Sequence, residues 1–398
     1  MNKRLIPIFL VVFSDLVGFG MIIPLLPSFA TSFNASPLAI GLLTASYSAM
    51  QLVGAPVLGR LSDRFGRKPL LIISQLGTFA GFVLMGFANS LPMLFAARIL
   101  DGFTGGNLSI AQAAIADVTE EKDRAKSYGL IGAAFGLGFI LGPALGGLLS
   151  RWGNAVPAFA AAAISAGSIV LTIVLLPETR QASTAPAARR SFTLAALRYT
   201  LSNSLLTRLL AYGLIFNIGF GIFQTTFALF ANRKFSFNVE QTGYMLGYVG
   251  ILVVIAQVVI LPRMVSIVGE QRLIFLGSAT LGLGLLGVGM LEPWRALIGT
   301  LMLTAFGGGV VNPSLQSLYT RTVSAEERGG VLGLSASVDA FSRIVAPIWG
   351  GWVLGAAGAA WPALSGALLM LGVLIYGAVA LGGAAAAVPA AQAAPELP

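Results

Sequence analysis

Apolar residues run along this chain in stretches of about twenty, cut by short spacers that gather most of its arginine and lysine. A helix of about twenty apolar residues crosses the hydrocarbon core of a bilayer. The pattern predicts spans near 5–30, 39–59, 69–88, 92–117, 127–149 and 155–176. A second set follows near 207–231, 241–261, 271–290, 294–319, 329–354 and 360–382. Between the sets, 177–206 is richer in Pro, Ser, Thr and Arg and reads as a linker. The Ala/Pro run at 383–398 reads as a disordered tail. The amino-terminal run reads as the first span and not as a cleaved leader, because it carries Asp15 and no convincing cleavage site.

The two sets repeat. At an offset of 204, Gln112, Arg124, Gly129, Pro143, Gly146 and Gly147 match Gln316, Arg328, Gly333, Pro347, Gly350 and Gly351. At 203, Leu58, Arg60, Gly66 and Leu70 match Leu261, Arg263, Gly269 and Leu273. Chance supplies one or two such matches, not ten at nearly one offset. Same-sense repeats of six helices place a pseudo-twofold along the membrane normal, with the substrate path between the halves. The expected fold is an all-α polytopic membrane protein of twelve spans, in halves 1–176 and 207–382.

Charge orients it. Eighteen of the 24 Lys and Arg fall on the side of the linker and four on the other, with Arg98 and Arg343 inside spans. The positive-inside bias puts both termini and the linker in the cytoplasm of a plasma (inner) membrane. Composition agrees, since 56% hydrophobic and 10% charged residues compare with about a quarter charged in soluble domains. The pI of 10.2 nominally suggests nucleic acid. The basic residues sit in spacers between spans, so nucleic acid is not an expected partner. Cys and His are both absent. That removes disulfides, thiolates and imidazole, and leaves proton coupling to carboxylates. No metal or other cofactor is expected. There is no phosphate-binding loop for ATP and no nucleophile elbow, so an enzyme is not expected.

Three stretches carry motifs. The spacer after the second span reads Gly59-Arg60-Leu61-Ser62-Asp63-Arg64-Phe65-Gly66-Arg67-Lys68-Pro69. In it Gly59 and Gly66 permit a tight turn and close approach, and Asp63 can pair with nearby cations. Its second-half copy keeps Arg263 and Gly269 but has Ser266 for the acid. The fifth span carries Gly138-Phe139-Ile140-Leu141-Gly142-Pro143-Ala144-Leu145-Gly146-Gly147. Gly138, Gly142 and Gly146 share one face at small-residue packing spacing, and Pro143 removes a donor and bends the helix. The first span contains Asp15-Leu16-Val17-Gly18-Phe19-Gly20, and the fourth begins Ala97-Arg98-Ile99-Leu100-Asp101-Gly102.

The spacer resembles the signature of the major facilitator superfamily, in which it latches the cytoplasmic side between conformations. The fifth-span run resembles the motif of that superfamily's drug antiporters, thought to seal and rock the halves. Together the segments look like the twelve-span drug:proton antiporter family, most closely its tetracycline-efflux-like branch. The resemblance implies gating roles for Gly59, Asp63, Arg64, Gly66, Arg67, Lys68, Gly138, Gly142, Pro143 and Gly146. Asp117, at the cytoplasmic end of the fourth span, is the expected partner of the basic spacer. Two departures argue against tetracycline as the substrate. The tetracycline pumps use a second-half His, and they carry acids in spans three and nine, where this chain has none.

Five ionisable residues fall inside spans: Asp15, Arg98, Asp101, Asp339 and Arg343. Each costs about 3 kcal/mol at a helix centre by insertion scales, so each is expected to face a cavity or a partner. Asp339 and Arg343 are i,i+4, and Arg98 and Asp101 are i,i+3, so each pair shares a face. Three acids against two arginines leave one carboxylate over. Asp15 has no cation in its own helix and is the expected proton carrier, with Asp101 and Asp339 as alternates. Structural ion pairing of all five is the competing reading. Gln51, Arg98, Asn217, Gln224, Asn312, Gln316 and Arg343 are candidate substrate contacts, with Phe19, Tyr47, Phe103 and Phe223 as a candidate apolar wall.

The expected function is proton-driven export of an amphipathic small molecule, cations included, by a monomer in the lipid bilayer. Import of a sugar, organic acid or other nutrient with protons is the alternative.

Overall fold

The computed structural model describes residues 5–119, 124–179, 203–323 and 327–381. Most of the expected linker and the whole 383–398 tail lie outside them. In the first half the helices are α1 (Leu5–Ser32), α2 (Pro37–Phe65), α3 (Arg67–Gly86), α4 (Leu91–Thr104), α5 (Asn107–Val118), α6 (Arg124–Leu149) and α7 (Ala155–Leu175). In the second they are α8 (Ser204–Phe235), α9 (Val239–Ile255), α10 (Leu261–Val268), α11 (Glu270–Met290), α12 (Ala296–Arg321), α13 (Arg328–Ala357) and α14 (Trp361–Leu381). Among the described residues eleven helices are long and apolar enough to span a bilayer. The pair α4–α5 supplies the twelfth crossing.

Local chemistry sets several ends. Ser36 accepts a hydrogen bond from the Ala39 amide at the start of α2, where Pro37 opens the helix. Asn238 and Gln241 form a capping box on α9.

Three expectations on the spans change. The fourth span, expected unbroken over 92–117, is interrupted at Gly105 and Gly106. The spacer expected to begin at Gly59 is helical through Phe65, and the reversal into α3 falls on Gly66 alone, at φ 107°. That conformation suits a residue without Cβ. Gly59 sits inside α2, not in the turn, and a Cβ there would meet nothing within 4 Å among the described residues. The eighth span continues past 261, joining α9 to α10 through a π-turn at Ala256–Ile260.

The internal repeat is physical. A Cβ on Gly41 of α2 would overlap the Pro347 carbonyl of α13, and a Cβ on Gly243 of α9 would crowd the Pro143 carbonyl of α6. Pro143 and Pro347 are repeat partners, so the same contact occurs twice with the halves exchanged. These two seams, α2 with α13 and α6 with α9, join the halves.

Both seams lie toward the face opposite the linker. There Gly351 meets Pro37, Gly147 meets Gly243, and Leu229 and Leu354 join a first-half core that includes Phe29, Ile40 and Leu43. A bidentate Arg151–Glu240 pair, 2.6 Å from Nε to Oε2, crosses between halves at the same face. At the linker face the first-half core, around Ile8, Leu58, Leu70 and Ile110, contains no second-half residue among the described residues. Gly132 on α6 and Gly330 on α13 meet nothing there within 4 Å among the described residues. Among the described residues the molecule is sealed at the opposite face and parted at the linker face. All five tryptophans, Trp152, Trp294, Trp349, Trp352 and Trp361, are exposed and lie toward the sealed face.

Candidate functional site

Where the seams part, the intramembrane charges collect. Asp15 lies about 15 Å along α1. Both of its carboxylate oxygens are buried with no hydrogen-bond partner. Asn107, the first residue of α5 beyond the glycine break, lies beside it, and Asp101 is within electrostatic reach. The Asn107 Oδ1 is also buried and unpartnered. The break thus brings an amide toward the carboxylate without completing its hydrogen bonding.

Arg98 and Asp101 are both 3% exposed. Their expected pairing holds, with Nη1 to Oδ2 at 3.1 Å. Arg98 also stacks on Tyr47 at 4.2 Å and reaches Phe19 at 5.9 Å. A guanidinium over an aromatic face gains cation–π attraction that strengthens on desolvation. Tyr47 in turn lies within electrostatic reach of Asp15, Asp101 and Arg343. Arg343 comes from the second half, so this cluster bridges the interface.

The second-half pair does not form as its spacing suggests. Asp339 accepts from Asn217 Nδ2 at 2.7 Å, and no ion pair joins it to Arg343 among the described residues. An i,i+4 relation permits contact without compelling it. Of the other candidate contacts, Asn312 is half-buried, while Gln224 and Gln316 are exposed. The apolar wall is only half assembled. Phe19 and Tyr47 pack at 5.3 Å, whereas Phe223 is in the second-half core and Phe103 is 43% exposed.

Gln51 has a structural task. Its Nε2 donates to the Gly105 carbonyl at 3.0 Å and to the Tyr47 hydroxyl at 3.2 Å. Ser74 similarly donates to the Thr104 carbonyl. Broken backbone at membrane depth persists only where such groups satisfy it. Gln51→Ala should therefore destabilise the protein by about 1 kcal/mol, the low end of the cost of an orphaned carbonyl, since Gly105 is half-buried. Thermal melting of the purified variant checks this.

At the linker face the motif residues converge on Arg67. Its Nη1 pairs with Asp63 at 2.5 Å, its Nε with Asp117 at 2.9 Å, and it donates to the Ser62 hydroxyl at 2.7 Å. This ties the α2–α3 turn to the end of α5, as expected for Asp117. Lys68 donates to the Ile173 carbonyl at the end of α7, and Arg64 lies over the Phe65 ring. Glu178 had no expected role, yet it accepts from the Arg67 and Lys68 amides at 2.9 and 3.2 Å. It caps α3 and suits the positive end of that helix. Its one trace in the sequence is an acid placed directly after the sixth span.

The fifth-span glycines divide their work. Gly138, Gly142 and Gly146 pack on Leu16, Gly20 and Met21 of α1, inside their own half. Gly147 and Pro143 supply the contact across to α9. The small-residue stripe expected to seal the halves is an intra-half joint, and the seal lies on the neighbouring face.

Two six-helix membrane bundles, parted at one face with a charged cluster where they part, define a carrier for small solutes. A model of the Major Facilitator Superfamily matches residues 8–347, and the chain belongs to that superfamily of transporters. The tetracycline resistance protein of class H from Pasteurella multocida is 31% identical, covering 94% of each chain. Multidrug resistance protein 2 of Bacillus subtilis is 27% identical over 85% of this chain and 86% of its own. Among solved structures, the nucleoside transporter NupG superimposes with a TM-score of 0.79 at 15% identity, covering 96% of this chain and 99% of its own. The fold is thus that of a multi-pass major facilitator, and these two relatives are named for resistance to tetracycline and to multiple drugs.

Proposed function

We propose that this transporter is a proton-driven antiporter that exports amphipathic small molecules by alternating access between its two halves. It acts as a monomer in the plasma membrane, with halves 1–176 and 207–382 joined by a cytoplasmic linker at 177–206. The observation that carries the reading is Asp15, a carboxylate with both oxygens buried and unpartnered in the middle of α1. A charge hidden from water without a partner is expensive, so this is the carboxyl for which gaining or losing a proton matters most. It neighbours the Arg98–Asp101–Tyr47 cluster, through which proton occupancy can be felt at the interface. The parted linker face is the state that loads substrate from the cytoplasm, and the Arg67–Asp63–Asp117 contacts, all within the first half, hold that half's α2–α3 turn against α5 in this state. Tetracycline and multidrug resistance proteins among the relatives favour the export direction.

The test is a vesicle experiment. In proteoliposomes with the linker face outward and an acidic lumen, external substrate exchanges for lumenal protons and the lumen should become more alkaline. Acidification of the lumen on adding substrate would mean symport and overturn the antiport reading.

A further inference from the structure

Arg343 is the charged group that neither the fold nor the proton reading uses. On α13 the residues 343, 347, 351 and 355 recur every four and share a face. Pro347, Gly351 and Gly355 on that face pack against Gly41 and Pro37 of α2. One turn nearer the linker face the seam has parted, and Arg343 is exposed. Its guanidinium has neither ion pair nor hydrogen bond among the described residues. Asp339, one turn away, is held by Asn217 at 2.7 Å. Tyr47, within electrostatic reach of it from the other half, already carries Arg98 on its ring.

The acids around this opening are poorly placed for a cation. Asp101 is buried against Arg98, the Asp15 oxygens are buried, and Asp339 is half-buried and hydrogen-bonded. An exposed guanidinium is a planar fork of donors that matches carboxylate geometry. From this we infer that the substrates are organic anions with a flat apolar body, and that Arg343 receives their negative group. The body would lie toward Phe19 and Tyr47, whose rings pack at 5.3 Å beside the cluster. The inference rests on the proposed substrate path between the halves, and it reverses the sequence expectation that cations are included.

Two xanthene dyes of similar shape and opposite charge provide the probe: fluorescein, an anion, and rhodamine 6G, a cation. Binding to the purified full-length protein in nanodiscs, read by fluorescence anisotropy, requires no proton gradient and no turnover. Wild type should bind fluorescein more tightly than rhodamine 6G. Arg343→Gln should weaken fluorescein about tenfold or more, the scale of a lost charge-assisted hydrogen bond, and leave rhodamine 6G unchanged. Arg343→Lys should restore part of the loss, and melting curves confirm that both variants are folded. Preference for rhodamine 6G, binding of neither dye, or equal weakening of both in Arg343→Gln would overturn the inference. Failure of the antiport reading would instead be seen in the vesicle pH signal, with dye binding intact.

Discussion

Asp15→Asn is expected to bring proton-coupled transport down to the level of empty vesicles while the protein remains folded and still binds substrate. The argument depends on what each carboxylate leaves behind. Among the described residues Asp15 has no ion pair and neither oxygen has a completed hydrogen bond, so an uncharged isostere that can still face Asn107 breaks no ion pair, and melting temperature should hold or rise. Asp101 is the opposite case. Asp101→Asn strands Arg98, 3% exposed, and breaking one side of a buried pair costs about 3–5 kcal/mol. Transport measured beside thermal stability separates the two. Loss of transport at full stability in Asp15→Asn, against loss of stability in Asp101→Asn, supports the assignment. Coupled transport surviving in Asp15→Asn would remove Asp15 from the mechanism.

The second large effect concerns the seal. Gly41→Leu places a side chain where the Pro347 carbonyl lies. Forcing atoms into a packed contact costs about 1–3 kcal/mol. A bias of about that size between two states shifts their ratio by about 5–150-fold. The sealed state is penalised, so the population moves toward one open at the opposite face. The chain contains no cysteine, which makes the readout clean. A cysteine replacing Leu354, 0% exposed in the seal, should resist a membrane-impermeant maleimide from that face in the parent. In the Gly41→Leu background it should label readily, with transport reduced. Unchanged labelling would mean that the seam does not hold the closed face.

Most of this architecture is legible in the sequence because lipid imposes a harsh rule: roughly twenty apolar residues per crossing. What escaped that rule are features to which hydropathy is blind. Gly105 and Gly106 break the fourth span without interrupting its apolar character. Charged residues at 60–65 end the apolar window, although α2 continues as a helix through them. The intramembrane charges were legible for the same reason as the spans, since lipid excludes them.

Their partners were not, because partnership here is long-range. Asn107 reaches Asp15 from across the break, and Tyr47 faces Arg98 from another helix. Asn217 displaces Arg343 at Asp339 from 122 residues away. Gln51 looked like a cavity residue because polar side chains at depth are rare. It is spent on broken backbone at Gly105 that no residue pattern in the span announces. Small-residue spacing likewise identified a packing face on α6, but which neighbour it met required the assembled bundle.

The uneven placement of tryptophan has a mechanical corollary. Indole rings favour the headgroup layer, and here they all crowd toward one leaflet. That rim behaves as a collar, fixing the depth of both bundles at one end while the other end swings. Area swept during a cycle is therefore taken mainly from acyl chains on the linker side. Turnover should be more sensitive to lateral pressure in that leaflet than in the one gripped by the collar.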